Sequence, residues 1–296
     1  MTGGAGFIGT HLCRQLTQAG HEAVIFDLVA PVGGDVRSSS DLAKAVQGID
    51  AVVHFAAIVS VPLCNEKPIA SYQTNLLGTC LVLEAVRLEM SRSQKKIRVV
   101  FSSSAAVYGD SGRLATPIRE PEALASTLSF YGNQKLASEQ VISMYCKTHQ
   151  VPAVVFRFFN VFGPGQSVDS SYSGVISVFA ERLRQNQVLR LNDGGYQTRD
   201  FITVHDVASA CVQALQLSDE ACDGVPINLG TGTSVSIREL AQEMASVMKR
   251  EPVFENGPAR AGDIAHSCAA IERARSVLGW QPKYSLRQGL AELLNG

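Results

Sequence analysis

The sequence predicts an α/β fold: a doubly wound parallel sheet with a smaller C-terminal α/β lobe that covers a substrate. In the first half of the 296 residues, strand-length apolar runs alternate with helix-length stretches, the pattern of a parallel sheet covered by helices on both faces. A glycine-rich stretch, Gly4-x-Gly6-x-x-Gly9, opens the first helical pattern. We expect residues 1–162 with 197–232 to form the sheet domain and residues 163–196 with 233–296 to form the lobe.

The individual elements follow from the spacing of the apolar residues. Short runs rich in β-branched residues predict buried strands, and apolar residues that recur every three or four positions predict helices. The predicted strands are residues 21–26, 51–55, 97–102, 153–159 and 226–229, and the predicted helices are 7–19, 40–46, 76–90 and 131–149. A short strand running into a helix is predicted for 200–217, a loop, a helix and a strand for 163–196, and three helical stretches for 236–296.

The predicted helix at 76–90 is apolar on nearly every side. Such a helix needs cover on two faces, because an exposed apolar stripe of that size is costly. One face would pack on the sheet. The other face is covered either by a second copy of the chain, which predicts a homodimer, or by other residues of the same subunit, and the pattern leaves both alternatives open.

Composition excludes several classes of protein. The net charge is −1, with acidic and basic residues interspersed, so nucleic acid is not an expected partner. Seven cysteines without a Cys-x-x-Cys pair predict reduced thiols rather than disulfides or a zinc cluster, so we expect a cytoplasmic protein without a metal. No apolar run is long enough for a membrane span, and no signal peptide is readable, so a soluble protein is expected.

The glycine stretch predicts a Rossmann-like dinucleotide site. Glycines at this spacing let a pyrophosphate approach backbone amides at a helix N-terminus. The predicted strand 21–26 ends at Asp27, where a carboxylate would accept hydrogen bonds from the adenosine ribose and repel a 2′-phosphate, which favours NAD over NADP. The alternative is an ordinary glycine turn beside a surface aspartate. The predicted contacts in this segment are Gly3, Gly6, Phe7, Ile8, Gly9 and Asp27.

The N-terminus is unusual for such a site. The glycine turn normally follows a buried central strand, but only Met1 precedes Thr2 in this sequence. Either residues upstream of Met1 belong to the natural protein, or the first strand is very short and leaves an unfilled slot in the core. We expect upstream residues, and the intact mass of the natural protein would decide between the two.

Tyr131 and Lys135, spaced Tyr-x-x-x-Lys, predict redox chemistry on an alcohol together with Ser104. On a helix, residues four apart share a face, so the lysine ammonium can favour ionisation of the phenol. A tyrosine normally titrates near pH 10, so the lysine, a cationic nicotinamide ring and the serine hydroxyl together must lower that pKa for the tyrosine to act as a base.

With these segments in place, the chain resembles the extended short-chain dehydrogenase/reductases, in particular the NAD-dependent nucleotide-sugar epimerases such as UDP-glucose and UDP-N-acetylglucosamine 4-epimerases. The resemblance runs nearly end to end. It is carried by Thr2-Gly3-Gly4-Ala5-Gly6-Phe7-Ile8-Gly9, Gly34-Asp35-Val36-Arg37, His54-Phe55-Ala56-Ala57, Ser102-Ser103-Ser104-Ala105-Ala106-Val107-Tyr108-Gly109, Tyr131 with Lys135, Arg157-Phe158-Phe159-Asn160-Val161-Phe162-Gly163-Pro164, Gln197-Thr198-Arg199-Asp200-Phe201 and Arg260-Ala261-Gly262-Asp263.

The resemblance implies roles for these residues. Ser104 would hydrogen-bond the reacting hydroxyl, Tyr131 would act as acid and base, and Lys135 would bind the nicotinamide ribose. The implied NAD contacts elsewhere in the sheet domain are Asp35, Val36, Phe55, Ala56, Ala57, Asn75, Ser102 and Phe158. The implied contacts to a UDP-linked sugar, mainly in the lobe, are Asn160, Val175, Arg199, Arg260, Asp263 and Ser267; an arginine fork suits a pyrophosphate. Taken one by one, Arg199 and Asn160 could equally form a surface ion pair and a turn cap.

The residues after Ser104 help to choose among the family's reactions. Related dehydratases commonly carry carboxylates there, whereas this chain has Ala105 and Ala106. Without a base for the C5 proton, oxidation and reduction at C4 is the simplest mechanism, which predicts a 4-epimerase. The alternatives are a nucleotide-sugar 4,6- or 5,6-dehydratase, a UDP-glucuronate epimerase, or an NAD-binding regulator without turnover.

The size of the sugar pocket depends on Ser267. By resemblance, Ser267 stands where a tyrosine restricts relatives to unmodified hexoses, so a small residue would admit a 2-acetamido group, with UDP-glucose and UDP-galactose also open. The alternative is that Ser267 is an ordinary loop serine. His54 and His205 lack carboxylates at a spacing that would indicate a triad or a metal site, and both are expected to be structural.

Overall fold

Four parallel strands form the central sheet of the computed structural model, which describes residues 1–29, 33–110, 116–122, 127–166, 174–259 and 263–295. In spatial order they are β1 (Ala51–His54), β2 (Arg98–Ser104), β3 (Ala153–Phe158) and β8 (Asp223–Leu229). The pairing β1–β2–β3–β8 is parallel throughout. The predicted α/β class with a parallel sheet is confirmed.

Helices cover both faces of this sheet. Successive residues of a strand point to opposite faces, so Val100 and Val154 join the core under α1 (Phe7–Gln18) and α8 (Val204–Ala214), while Val99 and Val155 join the core on the other face. The second layer contains α2 (Ser39–Ala45), α5 (Gly78–Ser93) and α6 (Phe130–His149). Burial on both sides explains why these strands read as continuous apolar runs.

The N-terminal edge of the sheet differs from the prediction. Residue Thr2 lies between Phe26 and His54 and bridges both in parallel, and its amide donates to the carbonyl of Val53 at 2.9 Å. The predicted strand 21–26 is wrong in extent, because only its last residue, Phe26, pairs there. On that side residues 21–25 and residues of β1 line a cavity of about 730 Å³, and the carbonyl of Val24 accepts a hydrogen bond from the amino group of Met1 at 2.6 Å rather than from a strand.

The helix that carries Tyr131 is defined at both ends by its sequence. The hydroxyl of Ser129 accepts a hydrogen bond from the amide of Gly132 at 3.0 Å and caps the first turn. Gln150 ends the helix in the left-handed conformation with φ 54°. The helix expected at 131–149 therefore exists with nearly the predicted bounds, and its first turn is fixed in place.

The path from β1 to α5 is more broken than predicted. Two short helices, α3 (Val61–Glu66) and α4 (Pro68–Tyr72), lead into a π-helical turn at Gln73–Leu77, which continues directly into α5. A π turn holds one extra residue and shifts the face that the following residues present. This turn places Asn75 inside the protein.

A third core lies in the C-terminal part of the chain. It is built from α7 (Val175–Arg184), β5 (Leu189–Asn192), α9 (Ile237–Val247) and α11 (Leu286–Asn295). β5 pairs in parallel with β10 (Phe254–Gly257), a strand that the sequence pattern did not indicate. By contrast, α10 (Glu272–Leu278) and Trp280 pack against the core of the main sheet. The division into two domains remains a prediction.

Two short strand pairs connect the main sheet with the C-terminal core. β4 (Asn160–Phe162) pairs in parallel with β7 (Phe201–Thr203), and β6 (Thr198–Arg199) pairs antiparallel with β9 (Val235–Ser236). No helix in the described ranges is both long and apolar enough to cross a membrane. The described residues also hold no cluster of three or more His, Cys, Asp or Glu side chains suited to a metal ion.

Candidate active site

The structure brings Ser104, Tyr131 and Lys135 together, as predicted. Ser104 ends β2, and its hydroxyl acts on the phenol of Tyr131, in the first turn of α6, in the direction that lowers the pKa of that phenol. Lys135 lies one turn further on, with its Nζ atom 5.8 Å from the centroid of the Tyr131 ring. The ammonium donates to the carbonyl of Ser102 at 2.6 Å, which fixes its position.

Burial controls the protonation of this group. It raises the pKa of Tyr131 to about 12, and the hydrogen bond from Ser104 opposes that rise. Burial also lowers the pKa of Lys135 to about 8, although the carboxylate of Glu139 acts in the other direction. The protein groups alone therefore keep the phenol protonated. The lower pKa that Tyr131 needs in order to act as a base depends on further positive charge near the phenol.

A cleft of about 640 Å³ begins at these three residues and runs to the glycine turn. This volume is within the range of pockets that bind small molecules and cofactors. All the predicted cofactor residues except Asn75 line it. They are Gly3, Gly6, Phe7, Ile8, Gly9, Asp27, Asp35, Val36, Phe55, Ala56, Ala57, Ser102, Tyr131, Lys135 and Phe158.

The glycine turn leaves room only for hydrogen atoms at two positions. Gly3 has φ +68°, and a Cβ atom there would lie 2.7 Å from the amide nitrogen of Ala56. A Cβ atom on Gly9 would lie 2.3 Å from the carbonyl oxygen of Gly3. Helix α1 begins at Phe7 without a side-chain cap or an acidic residue in its first turn, so its free amides face the cleft as a site for an anion. These features fit the pyrophosphate of a dinucleotide.

Two carboxylates lie at the far end of the cleft. Asp27 accepts a hydrogen bond from the amide of Ala5 in the glycine turn at 3.1 Å. Asp35 pairs with Arg37, whose Nη2 atom lies 2.6 Å from Oδ2, and the hydrogen bond from Arg37 lowers the pKa of Asp35. Arg37 itself lines the cleft and was not predicted as a site residue. The sequence signal that could have found Arg37 is its position two residues after Asp35, where it can pair with that carboxylate.

Other cleft residues were also missed by the sequence reasoning. Ile58 continues the wall after Ala57, and Thr74 reaches the cleft from the π turn, one residue before Asn75. Asn75 itself lies behind the wall, where its side chain is bonded to the backbone of Ile58. The sequence pattern does not show which residues of a π turn face inward, because the period of a π-helix differs from that of an α-helix.

The predicted substrate residues of β6 and its neighbours are partly assembled. Nη2 of Arg199 lies 2.6 Å from Oδ1 of Asp263, and Nη1 donates to the carbonyl of Ile264 at 2.6 Å. Burial lowers the pKa of Arg199, and Asp263 opposes that change. The amide of Ser267 donates to the carbonyl of Thr198 at 3.1 Å. Arg199, Asp263 and Ser267 therefore meet around one two-residue strand.

The remaining predicted substrate residues differ in position. Asn160 opens β4, and its amide donates to the carbonyl of Asp200 at 3.0 Å, next to Arg199. Val175 is the first residue of α7 and packs against the C-terminal core. Arg260 lies outside the described residues. The ligand contacts of these residues remain predictions.

His54 and His205, which are expected to be structural, are paired with side chains other than Ser104, Tyr131 and Lys135. His54 is buried between the hydroxyls of Thr2 and Thr79, at 2.7 and 3.1 Å, and burial lowers its pKa to about 3. A neutral ring in a satisfied hydrogen-bond chain supports the interpretation as a structural residue. His205, in the first turn of α8, pairs with Glu292 at 2.9 Å.

Comparison with known proteins identifies the family. The chain is 31% identical over 327 residues to a UDP-glucose 4-epimerase of Bacillus subtilis (strain 168), covering 99% of this chain and 94% of the relative. It resembles the crystal structure of a UDP-glucose-4-epimerase from Stenotrophomonas maltophila with bound NAD and formylated UDP-arabinopyranose, with TM-score 0.88 and 32% identity over 99% of this chain and 96% of the other. The UDP-N-acetylglucosamine 4-epimerase from Methanobrevibacter ruminantium M1, in complex with UDP-N-acetylmuramic acid, gives TM-score 0.88 and 28% identity with the same coverage. Residues 1–230 match the model of the NAD-dependent epimerase/dehydratase family, and the chain belongs to that family.

Proposed function

We propose that this chain is an NAD-dependent 4-epimerase of a UDP-hexose or a UDP-N-acetylhexosamine. The observation that carries the proposal is the meeting of Ser104, Tyr131 and Lys135 at one end of a cleft whose other end is a glycine turn and an uncapped helix. The proposal is supported by relatives named as UDP-glucose and UDP-N-acetylglucosamine 4-epimerases, which match this chain nearly end to end.

Each catalytic side chain has a distinct task in this proposal. NAD, when bound, supplies a nicotinamide ring that accepts a hydride from C4 of the sugar and returns it. Tyr131 takes the proton of the C4 hydroxyl and later gives it back, while Ser104 hydrogen-bonds the same hydroxyl. Lys135 holds a positive charge near the phenol and favours its ionised form. No net redox change remains after one turnover.

Epimerisation rather than dehydration is favoured by the residues beside Ser104. Ala105 and Ala106 start a short 3-10 turn directly after β2 and carry only methyl groups. A dehydratase needs a base for the proton at C5 and an acid for the leaving hydroxyl, and neither position offers one. The 4-keto sugar would therefore turn within the site and be reduced on its other face.

The lobe is proposed to bind the nucleotide sugar. Arg199 with Asp263 would contact the diphosphate and ribose, and Ser267 would border the sugar. The side chain of Ser267 is small, and its backbone is held to Thr198, so a 2-acetamido group would meet little bulk there. We therefore favour N-acetylhexosamines, with glucose and galactose as the second substrate pair.

Turnover with defined sugars tests the proposal. The purified protein is incubated with NAD and either UDP-N-acetylglucosamine or UDP-glucose, and the products are separated by anion-exchange chromatography. The C4 epimer supports the proposal. A dehydrated 4-keto product would instead assign a dehydratase, and no product with any UDP-, dTDP- or GDP-sugar would favour a regulator that binds NAD.

Tyr131→Phe supplies the matched test of the chemistry. Loss of the phenol should lower turnover by about 10²–10⁴-fold, the usual contribution of a general acid or base, while NAD stays bound. Tyr196→Phe is the control, because Tyr196 is 71% exposed. Near-normal turnover in Tyr131→Phe would contradict the assigned role.

We further propose a cytoplasmic homodimer. The thiols of all seven cysteines are free, which suits a reducing compartment. Leu88 on α5 and Met144 on α6 are 53% and 59% exposed on two helices that contact each other, and a second copy would cover them. Light scattering of the wild type and of Leu88→Glu tests this point. A monomeric wild type would exclude the dimer.

A further inference from the structure

The side chain of Asn75 lies outside the cleft and holds one of its walls through hydrogen bonds. Its Oδ1 atom accepts a hydrogen bond from the amide of Ile58 at 2.7 Å, and its Nδ2 atom donates to the carbonyl of Ile58 at 2.9 Å. The side chain thus pairs with both backbone groups of one residue, as a neighbouring strand would. Ile58 follows Ala56 and Ala57 in the wall, so Asn75 sets where this wall lies.

Gln134 controls which way the Asn75 carboxamide points. Its Oε1 atom accepts from Nδ2 of Asn75 at 2.7 Å, and its Nε2 atom donates to the hydroxyl of Ser71 at 2.7 Å. The Ser71 hydroxyl donates in turn to the carbonyl of Pro68 at 2.9 Å. A carbonyl oxygen can only accept a hydrogen bond, so Ser71 must donate to Pro68 and accept from Gln134. The Pro68 oxygen therefore fixes the direction of each hydrogen bond in the series from Ser71 to Asn75.

The direction matters because an amide group has two different ends. If Gln134 were reversed, its nitrogen would face the nitrogen of Asn75, and two donors would meet without an acceptor. Asn75 would then turn its oxygen toward Gln134 and lose the bond from the Ile58 amide. Both side chains are at most 2% exposed, so water cannot replace the lost partners without a change in packing.

The same helix supports the π turn at a second point. The hydroxyl of Ser138, one turn after Gln134, lies 2.8 Å from the carbonyl of Gln134 and 3.3 Å from the carbonyl of Asn75. α6 therefore contacts the turn through two side chains, Gln134 at the side chain of Asn75 and Ser138 at its carbonyl. Gln134 itself stands between Tyr131 and Lys135 in the sequence of this helix.

We propose that Gln134 is a positioning residue for the dinucleotide cleft. It acts through Asn75 to hold the wall at Ile58 at a fixed distance from the face of α6 that carries Tyr131 and Lys135. It is not assigned any contact with the cofactor or the sugar. The inference rests on the proposed function only in taking this cleft as the NAD site.

Substitution of Gln134 by Met is the main test, because Met fills a similar volume without hydrogen-bonding groups. The dissociation constant for NAD should rise about tenfold in Gln134→Met, the effect of one lost buried hydrogen bond. The turnover number at saturating NAD should change much less. Asn133→Ala is the matched control. Asn133 precedes Gln134 on α6 and is exposed, and its side chain accepts a hydrogen bond from Tyr72 rather than from the cleft wall, so NAD affinity should stay unchanged.

A second variant and a second measurement keep the test decisive if Gln134→Met folds poorly. Ser71→Ala removes only the partner that orients Gln134 and should weaken NAD binding in the same direction by a smaller factor. Hydrogen exchange at the Ile58 amide should speed up in both variants in the absence of cofactor, because that amide loses a fixed acceptor.

A double-variant cycle separates positioning from general packing. If Gln134 acts through Asn75, the double variant Gln134→Met with Asn75→Leu should bind NAD no more weakly than Asn75→Leu alone. Additive losses, or a lower melting temperature with unchanged NAD affinity and unchanged Ile58 exchange, would overturn the inference. A wild type that binds NAD but leaves UDP-sugars unchanged would reject the proposed epimerase and leave this inference standing.

Discussion

Glu139 and Arg157 form a buried ion pair one helical turn after Lys135. Nε and Nη2 of Arg157 donate to the two carboxylate oxygens of Glu139 at 2.9 and 2.6 Å, and both side chains are 5% exposed. The hydroxyl of Ser103 also donates to this carboxylate. The pair thus joins α6 to β3 and β2, directly behind the residues that carry the proposed chemistry.

Removal of the guanidinium should destabilise the protein strongly. Arg157→Met leaves the Glu139 carboxylate buried without its partner, which should cost about 3–5 kcal/mol of unfolding free energy. The control is Arg87→Met, since the side chains of Arg87 and Glu84 are 31% and 40% exposed and their pair should contribute under about 1 kcal/mol. Urea unfolding measures both. Equal losses in the two variants would show that the buried pair contributes no more than a surface pair.

Lys135 should set the alkaline limit of turnover. Burial lowers its pKa to about 8, so the cation that we propose favours the ionised phenol is lost as the pH rises through that value. Turnover should therefore fall between about pH 7 and 9. Lys135→Arg keeps a positive charge above pH 8, so its residual activity should lack this decline. An identical alkaline limb in Lys135→Arg would assign the decline to another group.

The same shift has a consequence for stability. Because the pKa of Lys135 is lower in the folded protein than the usual value near 10.5, the unfolded chain binds more protons between about pH 8 and 10.5. The contribution of Lys135 to the unfolding free energy should therefore rise with pH across that window. Lys135→Met should remove this rise in the protein without cofactor, as measured by urea unfolding at several pH values.

The sequence predicted those parts of the fold and the site that depend on local spacing. The glycine turn, the Tyr-x-x-x-Lys pair on one helix and the strands buried on both faces were all readable, because each is set by neighbours within one or two turns. The structure brings Ser104, Tyr131 and Lys135 together as expected. It also places the predicted cofactor residues around one cleft, with the exception of Asn75.

What could not be read depends on contacts between distant residues. The strand expected at 21–26 lacks a partner along most of its length, which no feature inside that segment reveals. The inward turn of Asn75 depends on a π turn, and its partner Gln134 lies 59 residues further on. The direction of the tyrosine pKa shift was unreadable for the same reason, since it follows from burial.

Asp200 should affect substrate binding without touching the proposed chemistry. It is fully buried, and its carboxylate accepts hydrogen bonds from the amides of Thr231, Gly232 and Ala269 at 2.8 to 3.1 Å. It thereby ties the loop after β8 to the segment that contains Ser267. Asp200→Asn turns one acceptor into a donor facing an amide, so the segment should shift.

The expected result for Asp200→Asn is a KM for the UDP-sugar raised about tenfold, with a smaller change in kcat and in NAD affinity. Asp193→Asn is the control, because Asp193 is exposed in the same part of the chain. Steady-state kinetics with each substrate pair measures the effect. A fall in kcat at constant KM would place the role of Asp200 in catalysis instead.

Asp27 should determine the choice between NAD and NADP. Its carboxylate lies at the end of the cleft, where it would accept hydrogen bonds from the adenosine ribose and repel a 2′-phosphate. Arg37 lines the same region and could face such a phosphate once the carboxylate is removed. Asp27→Ala should therefore weaken NAD binding about tenfold and strengthen NADP binding. Asp50→Ala, on an exposed turn before β1, should change neither affinity.

The two cofactors together separate recognition from damage to the glycine turn, because Asp27 also accepts a hydrogen bond from Ala5. Damage to the turn would weaken both cofactors equally, whereas loss of ribose recognition weakens only NAD. In Asp27→Ala with Arg37→Met, the gain in NADP binding should disappear, since the cation that would pair with the 2′-phosphate is gone. Calorimetric titration of each variant with NAD and NADP checks this. Unchanged NAD affinity in Asp27→Ala would remove Asp27 from the cofactor site.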